Sequence, residues 1–199
     1  TEVNKSASEE ISEDSVSVYD LNNNDDSQNQ ILLESNLEDK VSLYGLYDPD
    51  ENNLSIEMWN KSDGNEIKKI FDKIISKNLS QDALDILEIA LLTNSNTPFK
   101  NITKEEFYNF QKKFLIKKNN LDLIKKFLEK NPDYYLKDDL INYYANHYLS
   151  EANIEKSCEI FETISETNLQ DDYASKMKIY CLINSNKIDQ ALMIYDLKK

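Results

Sequence analysis

The sequence predicts an all-α fold: an α-solenoid of antiparallel helical hairpins with a 34-residue period, preceded by a disordered acidic N-terminal tail. Three observations carry this reading. Apolar residues recur at helical spacing from Gly64 onward. Ser, Thr, Asp and Asn stand where helix caps are needed. Large residues repeat every 34 positions along the second half. The tail is read from charge. Of the net charge of −14, residues 1–60 hold −13, with 15 acids against only Lys5 and Lys40, and residues 61–199 are nearly neutral. A stretch so rich in Ser, Asn and acids lacks the apolar surface that offsets the entropy of ordering. Residues 1–53 are therefore assigned to the tail and 54–199 to the helical repeat domain. In the tail, Ile31-Leu32-Leu33 has nothing beside it to bury it. Val41 to Tyr47 alternates weakly before Asp48-Pro49-Asp50 interrupts it.

Leu54, Ile56, Met58 and Trp59 form a short apolar segment, read as a lid on the end of the helices rather than a linear binding motif. Asp63 caps a first helix whose apolar face is Ile67, Ile70, Phe71, Ile74 and Ile75. Ser80 caps a second, with Leu79 stapled over Leu84 and with Ala83, Leu87, Ala90 and Leu91 beside Leu84 on its inner face. Together they make a hairpin over 64–93, and Pro98 falls in the break that follows. Thr103 and Glu106, flanked by Ile102 and Phe107, form a full capping box with its staple. Asn119-Asn120 ends that third helix and Asn131-Pro132 ends the fourth, which gives a hairpin over 104–130. Helices over about 138–149, 153–165, 170–184 and 187–199 make two further hairpins, 138–165 and 170–199, the last truncated at the end of the chain. Short links between helices imply antiparallel neighbours.

Phe114, Tyr148 and Leu182 are 34 apart, as are Phe127, Phe161 and Tyr195, and Ile124, Cys158 and Leu192. So are Leu123, Ser157 and Ala191, and the pair Phe107 and Ile141. One hairpin of this kind cannot bury its own apolar face, so neighbours stack. Over 104–199, and most clearly in Asn186-Lys187-Ile188-Asp189-Gln190-Ala191-Leu192-Met193-Ile194-Tyr195, the chain resembles the tetratricopeptide repeat family. That family places small residues where paired helices touch. Ala145 with Ser157 fits, Ala191 opposite Ile179 half fits, and Leu123 opposite Gln111 does not. Its Trp, Gly and Pro signature positions are otherwise unfilled. The stretch around Met58-Trp59 also resembles helical proteins of AT-rich alphaproteobacteria, a likeness that implies no function.

The chemistry the residues disfavour is broad. Two glycines, Gly45 and Gly64, cannot build a phosphate-cradling loop. His147, the only histidine, lies among Tyr143, Tyr144 and Tyr148 and reads as a structural imidazole. Cys158 and Cys181 fall on apolar helix faces and read as small buried thiols rather than a disulfide framework. No residues have zinc-ligand spacing. Asp48 to Asn53 begins like a calcium loop but lacks its Gly and its closing Glu. Paired acids such as Glu105-Glu106, Asp138-Asp139 and Asp171-Asp172 sit in first turns, where they favour the helix dipole. The expectation is no enzyme, no cofactor and no metal. Without Arg or a basic face there is no nucleic-acid footprint. No apolar run reaches membrane-spanning length, so a soluble chain is expected, in the cytoplasm by preference with the periplasm left open.

The remaining expectation is a non-catalytic scaffold or adaptor. By the tetratricopeptide resemblance, the first helix of each pair lines a concave, peptide-binding face. The residues so turned are Tyr108, Lys112, Asn142, Asn146, Lys176 and Tyr180. Lys and Asn donate hydrogen bonds, which suits an acidic or carboxylate-bearing peptide or partner protein, the chain's own acidic tail included. The alternative is an N-terminal helical domain of a larger enzyme or envelope-associated protein whose working part lies beyond Lys199.

Overall fold

Eight α-helices account for the described residues, 43–163 and 169–198 of a computed structural model, in which no strand forms. They are α1 (Gly64–Ser76), α2 (Gln81–Leu92), α3 (Lys104–Lys118), α4 (Leu121–Lys130), α5 (Lys137–Ser150), α6 (Ile154–Glu162), α7 (Asp172–Asn184) and α8 (Ile188–Leu197). The acidic stretch 1–42, with Ile31-Leu32-Leu33 and Val41, lies outside the described residues, as do 164–168 and Lys199. The tail boundary drawn at residue 53 moves back. Residues 43–53 belong to the same compact unit as the helices, Ser42–Lys199, with a single 3-10 turn at Asp50–Asn52.

The caps expected from sequence form as hydrogen bonds. Asp63 accepts from the Asn65 N–H at 2.9 Å, Ser80 from Ala83 at 3.4 Å, and Thr103 and Glu106 make the reciprocal capping box. Each satisfies a backbone donor that the first helical turn leaves open. Asp63 also receives the Asn101 side-chain amide at 3.0 Å and pairs with Lys100 at 3.0 Å. Asn101, then Lys100 and the Asn65 N–H, lower its pKa from 3.8 to about 2. The folded state favours the carboxylate, so the stability Asp63 brings is full above about pH 4 and lost as the pH falls toward 2. The melting midpoint is expected to fall through that window, less steeply in Asp63→Ala. Thermal denaturation of both chains across the window checks this. Gly64 follows because another backbone passes close: a Cβ there would lie 2.7 Å from the Asn101 carbonyl and 2.4 Å from Ile102 Cβ.

α1 and α2 both pack on α3, α3 packs on α4, and α3, α5 and α7 contact one another in succession. Phe71 of α1 stacks on Phe110 of α3 with centroids 4.4 Å apart. Ile70, expected on that face, is instead 55% exposed. Lys117 of α3 reaches back to the open carbonyls at the end of α1, Ile74 at 3.2 Å and Lys77 at 2.6 Å. The core continues through Phe107, Phe114, Phe127, Leu140, Ile141, Tyr144 and Ile160, all buried. α5 and α6 come close at the small pair foreseen from sequence. Ala145 and Ser157 are fully buried, and the Ser157 hydroxyl donates to the Ala145 carbonyl at 3.0 Å. Trp59 of the apolar segment sits edge-on against Phe107 at 5.5 Å, whereas Ile56 stays 44% exposed.

The link between the two helices of a hairpin takes one conformation three times. Asn119, Ala152 and Asn186 each adopt positive φ (50°, 55° and 59°). Asn120 and Asn153 then cap α4 and α6 through their side chains. The left-handed region disfavours a residue with a Cβ, by roughly 1–2 kcal/mol, and Asn tolerates it better than Ala. Ala152→Gly is expected to stabilise the fold by about 0.5–1 kcal/mol, the larger unfolded-chain entropy of Gly taking back part of the gain. A higher urea midpoint with unchanged slope would show it.

Cys158 and Cys181 were expected as separate thiols, and the fold corrects this: a disulfide joins them, α6 to α7. Their positions lie one in each of two successive hairpins, where α6 packs on α7 and the Cα atoms come within 5.4 Å. Among the described residues, no helix is long and apolar enough to cross a membrane.

A candidate peptide-binding surface

The residues Tyr44-Gly45-Leu46-Tyr47 run extended beside the end of α2, forming a parallel bridge between Tyr47 and Thr93. Their main chain is held without interruption. The Leu46 and Tyr47 N–H groups donate to the Leu92 carbonyl at 2.6 and 3.0 Å, and Asn94 N–H donates to the Tyr47 carbonyl at 3.0 Å. Asn131, just past α4, makes the bidentate contact a neighbouring strand would make. Its side-chain oxygen accepts from Gly45 N–H at 3.1 Å, and its amide donates to the Gly45 carbonyl at 3.2 Å. The same amide donates to the Phe127 carbonyl at 2.7 Å, which ties the clamp to α4. Gln111 of α3 donates to the Tyr44 carbonyl at 3.1 Å and to Leu91 at 2.8 Å, and Lys130 donates to the Leu46 carbonyl at 2.7 Å. Every polar main-chain atom from the Tyr44 carbonyl to the Tyr47 carbonyl thus has a partner.

Both clamp amides are buried, Gln111 at 2% exposure and Asn131 at 6%. An unpaired polar group there would cost about 1–3 kcal/mol; Asn131 uses both its oxygen and its amide on Gly45, while Gln111 uses its amide on Tyr44 and Leu91 and leaves its side-chain oxygen without a partner. The length of Gln111 lets it reach the segment from α3.

Side chains fix the register. The Tyr44 ring meets Tyr108 and Tyr134 edge-on at 4.9 and 5.1 Å, and its hydroxyl donates to the Asp133 carbonyl at 2.9 Å. Tyr134 is 1% exposed and donates to the Tyr108 carbonyl at 2.6 Å. Burial raises the pKa of Tyr134 and takes Tyr108 up to about 12, so the aromatic wall is uncharged at ordinary pH. At the other end the Tyr47 hydroxyl donates to Glu88, which also pairs with the nearly buried Lys118. Burial, then the hydrogen bond to Glu88, take Tyr47 up to about 12. Burial opposes the charge on Lys118, but its bonds to Glu88 and Asp85 outweigh this and raise its pKa. Gly45 has no room for a side chain: a Cβ would lie 2.7 Å from the Asn94 nitrogen and 2.8 Å from the Leu92 carbonyl.

The six residues expected to line an open face divide. Tyr108 is buried at 7% exposure, its ring covered by Tyr44, which corrects its placement on an open groove. Lys112 of α3 pairs with Asp139 of α5. Asn142 of α5 donates to Asp171, the α7 cap, at 2.8 Å and holds that carboxyl below its usual range. Asn146 accepts from the Tyr173 hydroxyl of α7 at 2.5 Å. These three polar residues therefore tie successive odd helices together rather than wait for a ligand. Lys176 and Tyr180 of α7 remain exposed, Lys176 beside a cleft of about 180 Å³ that Ile179 and Tyr195 also line. His147 lies against the Tyr148 ring at 5.5 Å and 3.4 Å from Glu151, one helical turn away.

Gln111 and Asn131 were missed as residues that hold the Tyr44–Tyr47 main chain because each had a simpler local meaning, one a helix-face amide and the other a helix stop before Pro132. The signal available was Gly45, one of two glycines, set inside the weak alternation of Tyr44 to Tyr47. Comparison of the chain with protein-family models, curated proteins and solved structures gave no match.

Proposed function

We propose that the chain is a non-catalytic protein-interaction scaffold, a short solenoid of tetratricopeptide-like hairpins that holds a partner's peptide in extended form. The observation that carries this is the clamp, in which buried amides on α3 and after α4 grip the main chain of Tyr44–Tyr47. Main-chain recognition of this kind gives affinity for an extended segment, and flanking pockets give selectivity. Three features support the repeat. The hairpin turn recurs at Asn119, Ala152 and Asn186. Lys125 of α4 and Glu159 of α6, 34 positions apart, pair at 2.9 Å. Phe127 and Phe161, 34 positions apart on α4 and α6, are both buried. Lys176 and Tyr180 of α7, both exposed, offer a surface to a protein partner with acidic groups. The disulfide favours an oxidising compartment for this role, the periplasm over the cytoplasm.

Photo-crosslinking tests the reading. A benzoylphenylalanine in place of Tyr180, in the full chain expressed in its own cells, is expected to capture a discrete protein. The same probe in place of Ile86, which is 69% exposed, is expected to capture none. Equal capture at both positions, or none at Tyr180, would contradict a partner face on α7.

A further inference from the structure

We infer that Tyr44–Tyr47 is a resident copy of the ligand, and that the clamp takes in trans an extended peptide of the pattern aromatic-glycine-aliphatic-tyrosine. This rests on the peptide-scaffold reading and gives that reading its specificity. The clamp's hydrogen bonds go to main-chain atoms, so another chain in the same conformation would make them all. What the site selects is then legible position by position. The first residue must fill the space between Tyr108 and Tyr134 with a ring, and a hydroxyl on it reaches the Asp133 carbonyl. The second must be glycine, since a Cβ would meet Asn94 and the Leu92 carbonyl at 2.7–2.8 Å. The third is half-buried and packs against the core, which takes an aliphatic side chain. The fourth presents a phenol to Glu88, which its pair with Lys118 holds in place.

Because the resident segment belongs to the chain, it competes at high effective concentration. A peptide in trans therefore sees only the fraction of molecules whose clamp is open, and its apparent affinity falls by that fraction. The device is autoinhibitory: a partner gains the site by presenting the same pattern with further contacts of its own.

The test uses the full chain and a fluorescein-labelled octapeptide, Val-Ser-Leu-Tyr-Gly-Leu-Tyr-Asp, read by anisotropy. Gly45→Val expels the resident segment by the clash described above. The octapeptide is expected to bind this variant at least about tenfold more tightly than the wild type. Adding Asn131→Leu to Gly45→Val is expected to abolish binding, as is a peptide with Val at its glycine. No binding to a Gly45→Val chain that keeps its helical circular dichroism would overturn the proposal. So would binding that ignores Asn131, which would place the peptide elsewhere. Loss of helical signal in Gly45→Val would also overturn it, since the segment would then be part of the fold and not a ligand. Any of these, with crosslinks at position 180 intact, removes the self-ligand and leaves the scaffold reading standing.

Discussion

Asn131→Ala is expected to destabilise the fold by about 3 kcal/mol, because it strips partners from two buried main-chain groups, the Gly45 N–H and carbonyl, and removes a third bond to Phe127. Urea denaturation measures the loss, and amide exchange locates it: Leu46 and Tyr47 should lose protection while α5 to α8 keep theirs. Asn131→Asp makes the mechanism specific. A carboxylate still accepts from Gly45 N–H but sets a second acceptor against the Gly45 carbonyl, so it should rescue the alanine variant only in part. Truncating Asn120 to Ala is the control. It is an exposed cap holding the Leu123 N–H at 3.0 Å, and about 1 kcal/mol is the ordinary cost of losing one. Equal losses at Asn120 and Asn131 would mean that Asn131 acts as a helix cap and nothing more.

The disulfide gives the second large effect. Cys158 and Cys181 close a loop with a sequence separation of 23, and loop-closure entropy alone puts the stabilisation at about 3 kcal/mol for a loop of that order. Cys158→Ser with Cys181→Ser, or reduction of the wild type, should lower the urea midpoint accordingly. The loss should be local. The bridge joins α6 to α7, so α7 and α8 should open first and α1 to α4 hold their exchange protection. A uniform loss along the chain would show instead that all eight helices unfold as one unit.

How far the fold could be read from sequence depended on how local each signal was. The helices were legible because caps act within three or four residues: Asp63, Ser80, Thr103 with Glu106, and Asn119 all sit where they were expected. Apolar positions spaced by 34, such as Phe127 and Phe161, were legible as core, both being buried. The same pattern misled at Tyr195 and Leu192, which are 52% and 55% exposed, since periodicity marks an apolar face without saying whether anything covers it. Leu43 to Asn53 was placed in the tail by its acidic flank. Its order comes from long-range main-chain bonds to Gln111, Lys130 and Asn131, 67 to 86 residues away, which no local pattern encodes. The odd-helix residues failed for a related reason. Lys112, Asn142 and Asn146 were on the expected helices, but partners 27 to 29 residues on, Asp139, Asp171 and Tyr173, engage them. The disulfide was hidden in the same way, by the contact of α6 with α7.

The most direct measurement is residue-resolved amide exchange by NMR on the wild-type chain, at Gly45, Leu46, Tyr47 and Asn94. Those four N–H groups donate to Asn131, to Leu92 twice, and to Tyr47. Docked as described, they are expected to exchange orders of magnitude more slowly than a free peptide. Gly45→Val should release Leu46 and Tyr47 to the free-peptide rate while the amides within α3 and α4 stay protected. Free-peptide exchange at Leu46 and Tyr47 in the wild type would contradict the clamp, and with it the proposal that these helices hold an extended chain.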